Sequence, residues 1–127
     1  MSALQFELEG GILDILKASG LDWLATGDAA INILLDKKTA PQYVIYIPAN
    51  QLNAWSKYLK SQGAVEGGKS PLPSLIVIPE NNLDSLADGV YQGVRLVKYD
   101  RLLQDANPRY LENMRSQLEK HLSKKTG

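Results

Sequence analysis

The stretch Trp23-Leu-Ala-Thr-Gly-Asp-Ala-Ala-Ile-Asn-Ile-Leu-Leu35, followed by Tyr43-Val-Ile-Tyr-Ile-Pro48, constrains this chain more than any other part of its 127 residues. It reads as a short apolar strand over residues 21–25, a Thr-Gly turn, a compact helix over residues 28–35, a polar loop over 36–41, and a second strand over 43–47. Ala29, Ile31, Ile33 and Leu34 supply the packing positions of the helix, with Thr26 as its expected N-cap. The unbroken apolar run in the second strand suits burial on both faces. Gln42, Val44 and Tyr46 share one face of that strand, and Tyr43, Ile45 and Ile47 share the other. Neither face carries an acid.

The rest of the chain alternates in the same way. Leu8, Ile12, Ile15 and Leu16 recur at helical spacing, which predicts a helix over residues 4–18 weakened in the middle by Gly10-Gly11. A helix over 51–62 places Leu52, Trp55 and Leu59 on one stripe, which reads Trp55 as a core anchor rather than a stacking platform. A brief strand near Val65 and a loop up to residue 73 lead to a buried strand over 75–78. Residues 80–89 read as a polar connection with one helical turn. Val90-Tyr91 and residues 94–97 flank Gln92-Gly93 as a hairpin or a single bent strand. A short helix over 98–104 is broken at Asp105-Ala-Asn-Pro108. The final helix covers 109–122, with Pro108 at its first position and Asn107 as cap. Leu111, Met114, Leu118 and Leu122 form its stripe. This alternation predicts one α/β (or α+β) domain over residues 1–127, with a mixed sheet of four to six strands and flanking helices. Its core is expected over residues 21–122, with a basic tail at 123–127.

Composition narrows the function classes. There is no cysteine, which excludes disulfides, thiolate metal sites and cysteine nucleophiles. No apolar run approaches the ~20 residues of a membrane helix, and the N-terminal residues are acidic where a signal peptide is basic. The expectation is a cytoplasmic protein without membrane partners. Net charge is zero but unevenly spread: residues 1–94 hold six Lys/Arg against ten Asp/Glu, and residues 95–127 hold eight against four. A neutral protein has no general attraction to nucleic acid. The C-terminal basic residues Arg95, Lys98, Arg101, Arg109, Arg115, Lys120, Lys124 and Lys125 form the candidate nucleic-acid set.

Thr26, Gly27 and Asp28 are the candidate ligand contacts. Backbone amides at a helix start favour anions, and Gly permits close approach. Asp28, however, puts a negative charge where a phosphate would sit, and it also complements the helix dipole. Glu7/Glu9, Asp84/Asp88 and Asp100/Asp105 are acid pairs that read as solvated faces. Gly67-Gly68-Lys69-Ser70 lacks the earlier Gly of a phosphate loop and is followed by Pro71 and Pro73 instead of a helix. His121, the single histidine, reads as a polar residue near the end of the last helix, with neither a catalytic triad nor a metal cluster around it. No catalytic residue, metal site or cofactor is expected.

The strand, Thr-Gly turn, helix and strand resemble the opening of the nucleotidyltransferase-like fold. Catalysis there places two carboxylates one residue apart on the second strand to hold Mg²⁺, and this chain has none at that place. Trp23-Leu-Ala-Thr-Gly-Asp-Ala-Ala30, Tyr43-Val-Ile-Tyr-Ile47, Tyr99-Asp-Arg-Leu-Leu103 and Asn107-Pro-Arg109 are similar to motifs in the C-terminal region of AbiEi-family antitoxins of type IV toxin–antitoxin systems. The similarity runs over residues 21–122. It implies a non-enzymatic regulatory or interaction module whose partner is a nucleotidyltransferase-like toxin or a second copy of itself. It supplies no catalytic residue. The family carries a winged-helix DNA-binding domain ahead of this region, and about twenty residues before Leu21 are too few for one. The alternatives are a small nucleic-acid-binding protein using the basic set and, third, a divergent nucleotidyltransferase using Asp28 with Asp84 or Asp88.

Overall fold

The computed structural model describes residues 3–35, 42–67, 74–91 and 93–126, with side chains described as far as His121. The expected loop at 36–41, the Gly68-Lys69-Ser70 segment with residues 71–73, Gln92, and the side chains of Lys124 and Lys125 lie outside the described residues.

The chain runs β1 (Leu4–Glu7), α1 (Ile12–Lys17), β2 (Leu24–Thr26), α2 (Gly27–Leu34), β3 (Tyr43–Pro48), α3 (Leu52–Ser61), β4 (Val65–Glu66), β5 (Leu75–Glu80), β6 (Ala87–Tyr91), β7 (Val94–Val97), α4 (Tyr99–Asp105) and α5 (Pro108–Thr126). The fold is a single mixed α/β domain whose strands form one sheet in the order β4-β1-β5-β3-β2-β7-β6. Seven strands among the described residues exceed the expected four to six. β2 lies antiparallel to β3, with Leu24 opposite Tyr46 and Thr26 opposite Val44. β3 and β5 run parallel, as do β2 and β7.

The N-terminal segment departs from the expected helix over 4–18. Leu4–Glu7 pairs antiparallel with β5, and the helix begins only at Ile12. Gly11 adopts φ +65° at the helix N-cap, a conformation that ends any helical run from the N-terminal side. The period-two alternation of Leu4, Phe6 and Leu8 with Gln5, Glu7 and Glu9 wins over the helical spacing further on. β6 likewise begins at Ala87, inside the polar connection expected over 80–89, and runs on into the expected Val90-Tyr91 arm, while the helical turn there exists as a 3₁₀ turn at Leu83–Ser85. β6 and β7 pair antiparallel, which makes the segment a hairpin. The last helix continues to Thr126, so residues 123–126 extend it instead of forming a separate tail.

α2 is buried on every side. All residues from Gly27 to Leu34 are buried, including Asp28 and Asn32, as for a helix enclosed by the core. Two hydrophobic clusters meet around it. One gathers Phe6, Leu16, Ile45, Ile47, Trp55, Leu59 and Val77. The other gathers Leu24, Ile31, Tyr46, Leu96, Leu102 and Leu118 beneath α4 and α5. Neighbouring β3 residues Ile45 and Tyr46 fall into different clusters, as strand alternation requires. Trp55 is fully buried, in agreement with its reading as an anchor. No helix among the described residues is long and apolar enough to cross a membrane.

Candidate functional site

The Thr26-Gly27-Asp28 turn sits where β2 hands over to α2, and the elbow between α4 and α5 closes over it. Gly27 adopts φ +59°, and a Cβ built on it would come within 3.0 Å of the Asp105 carbonyl oxygen. Glycine is therefore required twice, by its backbone conformation and by the close approach of the elbow. Thr26 was expected to cap α2, but its side chain makes no capping bond. Its hydroxyl instead donates to the Asp105 carboxylate at 2.8 Å.

Asp105 is the hub of this arrangement. The same carboxylate oxygen accepts the Tyr46 hydroxyl at 2.6 Å and lies 3.6 Å from the Arg101 guanidinium one helical turn earlier. Arg101 Nε donates to the Tyr46 hydroxyl at 3.0 Å, and its guanidinium stacks over the Tyr46 ring at 5.3 Å from the centroid. Burial, reinforced by the hydrogen bond to Asp105 and opposed by Arg101, pushes the Tyr46 hydroxyl up to about 12. Tyr46 thus stays a neutral donor to a carboxylate across the ordinary pH range.

Asp28 lies one step deeper, at 5% exposure, and accepts the backbone N–H of Asn107 at 2.9 Å. Asn107 in turn caps α5 as expected, accepting the N–H groups of Arg109 at 3.0 Å and Tyr110 at 3.4 Å. The Asp28 carboxylate therefore stands at the positive end of a 19-residue helix as well as in the first turn of α2. Burial raises its pKa above the usual carboxylate range, and the Asn107 hydrogen bond works in the opposite direction. The Tyr110 hydroxyl donates to the Asn32 side-chain oxygen one turn along α2. Burial first, and then the Asp28 charge, raise the Tyr110 pKa. The three residues singled out in the turn thus contact the chain's own elbow: Thr26 through Asp105, Gly27 by packing, and Asp28 through Asn107.

The strand face expected to lack a metal pair is now defined by register. Val44, Tyr46 and Pro48 of β3 stand beside Ile76, Ile78 and Glu80 of β5. Glu80, at the strand end, is the one carboxylate among these six. No group of three or more His, Asp or Glu side chains that could hold a metal ion occurs among the described residues. Asp28 follows the C-terminal end of β2, whereas Asp84 pairs with Arg95 at 3.1 Å near the start of β7, parallel to β2. The two acids therefore stand at opposite ends of the sheet.

The basic set is divided rather than gathered. Arg95 is held by Asp84, and Arg101 is held by Tyr46 and Asp105. Lys98, Arg109, Arg115 and Lys120 are exposed. On α5, Glu112 and Glu119 stand three residues before and four after Arg115, so the solvent face alternates in sign. His121 is half-buried, edge-on to Tyr91 with ring centroids 5.6 Å apart, and its enclosed Nε2 has no hydrogen-bond partner among the described residues.

Tyr46, Asn32 and Tyr110 were not singled out as site residues from the sequence, and Asp105, read there with Asp100 as a solvated face, is instead the half-buried centre of the site. A tyrosine in an otherwise aliphatic strand and an asparagine inside an apolar helix were the available signals, since a buried polar group needs a partner. No family model matches the chain, and no curated protein or solved structure matches it either.

Proposed function

We propose that this chain is a non-enzymatic regulatory or interaction module with a nucleotidyltransferase-like core, akin to the C-terminal domain of an AbiEi-type antitoxin. The observation that carries this reading is the Tyr46 face of β3. Where a nucleotidyltransferase places two carboxylates one residue apart, this strand presents Val44 and Tyr46, and Tyr46 is tied to Asp105 of the elbow. The order of strand, glycine turn, helix and antiparallel strand supports the core assignment. Asp28 already supplies an anion at the helix start, which supports reading the turn as a hold on the elbow rather than a phosphate site.

The partner in this reading is a nucleotidyltransferase-like protein or another copy of the chain. Purification of the tagged chain from its native host, with and without nuclease, tests it. Recovery of a nucleotidyltransferase-like protein that survives nuclease is the expected result. Metal-dependent nucleotidyl transfer by the purified chain, lost on replacing one acid, would overturn it.

The second reading, a small nucleic-acid-binding protein, is favoured by the exposure of Lys98, Arg109, Arg115 and Lys120. It requires steeply salt-dependent binding of DNA or RNA. It ranks lower because Arg95 and Arg101 are already engaged and acids are interleaved along α5.

A further inference from the structure

Asp84 and Asp88, which the sequence presents as one solvated face, are both exposed but are held differently. The Asp84 carboxylate pairs with Arg95 at 3.1 Å, inside a 3₁₀ turn where the Leu86 N–H donates to the Leu83 carbonyl and the Ser85 hydroxyl to the Asn82 carbonyl. Asp88 has no hydrogen-bond or ion-pair partner among the described residues. It is followed by Gly89, and no other aspartate or asparagine in the chain precedes a glycine.

The strand around Asp88 leaves it freer still. Ala87 stands opposite Val97 and Gly89 opposite Leu96, so Asp88 is the extra residue of a bulge, with no partner across the ladder. Turning about its Cα–C bond therefore disturbs the pairing less than the same turn at a laddered residue. Gly89 has no side chain of its own, and nothing lies within 4 Å of the position a Cβ would take. Its pairing with Leu96 opposes movement, but β6 is outermost in the sheet and none of its five residues is buried. Strands of that kind open locally far more readily than central ones. An open hollow of about 130 Å³ beside Asp88 and Gly89 leaves room for a reacting group and for water.

We propose that Asp88-Gly89 is a site of spontaneous backbone modification, at which the folded chain converts Asp88 to isoaspartate. The Gly89 amide nitrogen attacks the side-chain carboxyl carbon of Asp88. The N–C bond forms, and the carboxyl OH leaves with the amide hydrogen as water, closing a five-membered succinimide. Water then opens the ring at either carbonyl. Attack at the side-chain carbonyl restores aspartate. Attack at the main-chain carbonyl breaks the original peptide bond and leaves isoaspartate, with the chain routed through the former side chain. One water is lost and one is gained, so no further reactant is needed. The product adds one methylene to β6 at the point where the ladder already holds an extra residue. This inference is independent of the interaction-module reading.

Prolonged incubation of the intact chain at neutral pH, below its melting temperature, tests it beside the same chain unfolded in guanidinium. Peptide mapping with electron-transfer fragmentation then tells isoaspartate from aspartate at each position. Isoaspartate is expected at position 88 of the folded chain, at a rate within severalfold of the unfolded chain, while Asp84 stays aspartate in the fold. Gly89→Ala places its methyl in open space at an ordinary backbone conformation, so it should keep the melting temperature and slow the conversion in both states. An Asp88 that converts only when the chain is unfolded would overturn the proposal. So would equal conversion at Asp84 in the folded chain, or an undiminished rate in Gly89→Ala.

Discussion

Around Trp55 the core is closed by hydrocarbon. Phe6, Leu16, Ile45, Ile47, Leu59, Leu75 and Val77 are buried there, and the polar atoms involved are few: the Trp55 indole donates to the Asp22 carbonyl at 3.2 Å and the Tyr58 hydroxyl to the Ile15 carbonyl at 2.6 Å. Under the α4–α5 elbow, Leu102, Ala106 and Leu118 are equally buried, but side chains from β2, α2, β3, α4 and α5 also meet in hydrogen bonds. Apolar contacts tolerate many arrangements of similar volume, whereas a hydrogen-bonded set is satisfied in few. The first region therefore holds almost entirely through burial. The second fixes where the last third of the chain docks, in particular which carboxylate each of Thr26, Tyr46 and Asn107 meets.

The comparison is broken most severely from the apolar side. Trp55→Ala should cost about 3–5 kcal/mol, read as a lowered denaturant midpoint, because a fully buried large ring leaves a cavity. On the polar side Asp105→Ala removes the acceptor of two hydroxyls and should cost about 1–3 kcal/mol. Tyr46→Phe should cost less, about 1 kcal/mol. A double-mutant cycle between the two positions should show coupling, and strict additivity would mean that the hydrogen bond contributes nothing. Gly27→Ala should cost about 1–2 kcal/mol from its backbone conformation, with a further penalty if the elbow must shift away from the added methyl.

The smallest effect concerns pH. Because burial raises the Asp28 pKa in the folded chain, the native state holds this proton to higher pH than the unfolded chain does. Its contribution to stability is fully present below the ordinary carboxylate pKa and is lost as pH rises through the raised folded value. Asp28→Asn retains an oxygen to accept the Asn107 N–H and removes the buried charge. It should be neutral or stabilising at neutral pH and should flatten the acid-side stability profile measured by thermal melts. A destabilised variant that loses less stability on acidification than the wild type would show instead that the charge itself holds the α5 terminus.

Features set by local pattern were legible in the sequence. The Thr-Gly turn with its flanking strand and helix, the Trp55 stripe, the Asn107-Pro108 helix start and the strand arms at Val90-Tyr91 and Val94–Val97 all rest on residues within a few positions of one another. β1 was missed because Leu8, Ile12 and Ile15 carry a helical spacing that overlaps the two-residue alternation before them, and only pairing with β5 decides between them. The first part of β6, before Val90, was missed because an edge strand needs no continuous apolar face, so Asp88-Gly89 reads as part of the connection. The candidate site was half legible. Thr26, Gly27 and Asp28 stand out locally, but Thr26 finds Asp105 and Asp28 finds Asn107 across 79 positions, and such pairings leave no periodicity behind. The Asp100/Asp105 pair drew notice as a solvated face, and the burial of Asp105 comes from the elbow alone.

Titration of the ¹⁵N-labelled chain with Mg²⁺–ATP, followed through the backbone amide signals of Gly27 and Asp28, tests the central claim most directly. If the turn is committed to holding its own elbow, those signals stay in place up to millimolar nucleotide. Saturable shifts at Gly27 and Asp28, lost without Mg²⁺, would make the turn a nucleotide site and contradict the account.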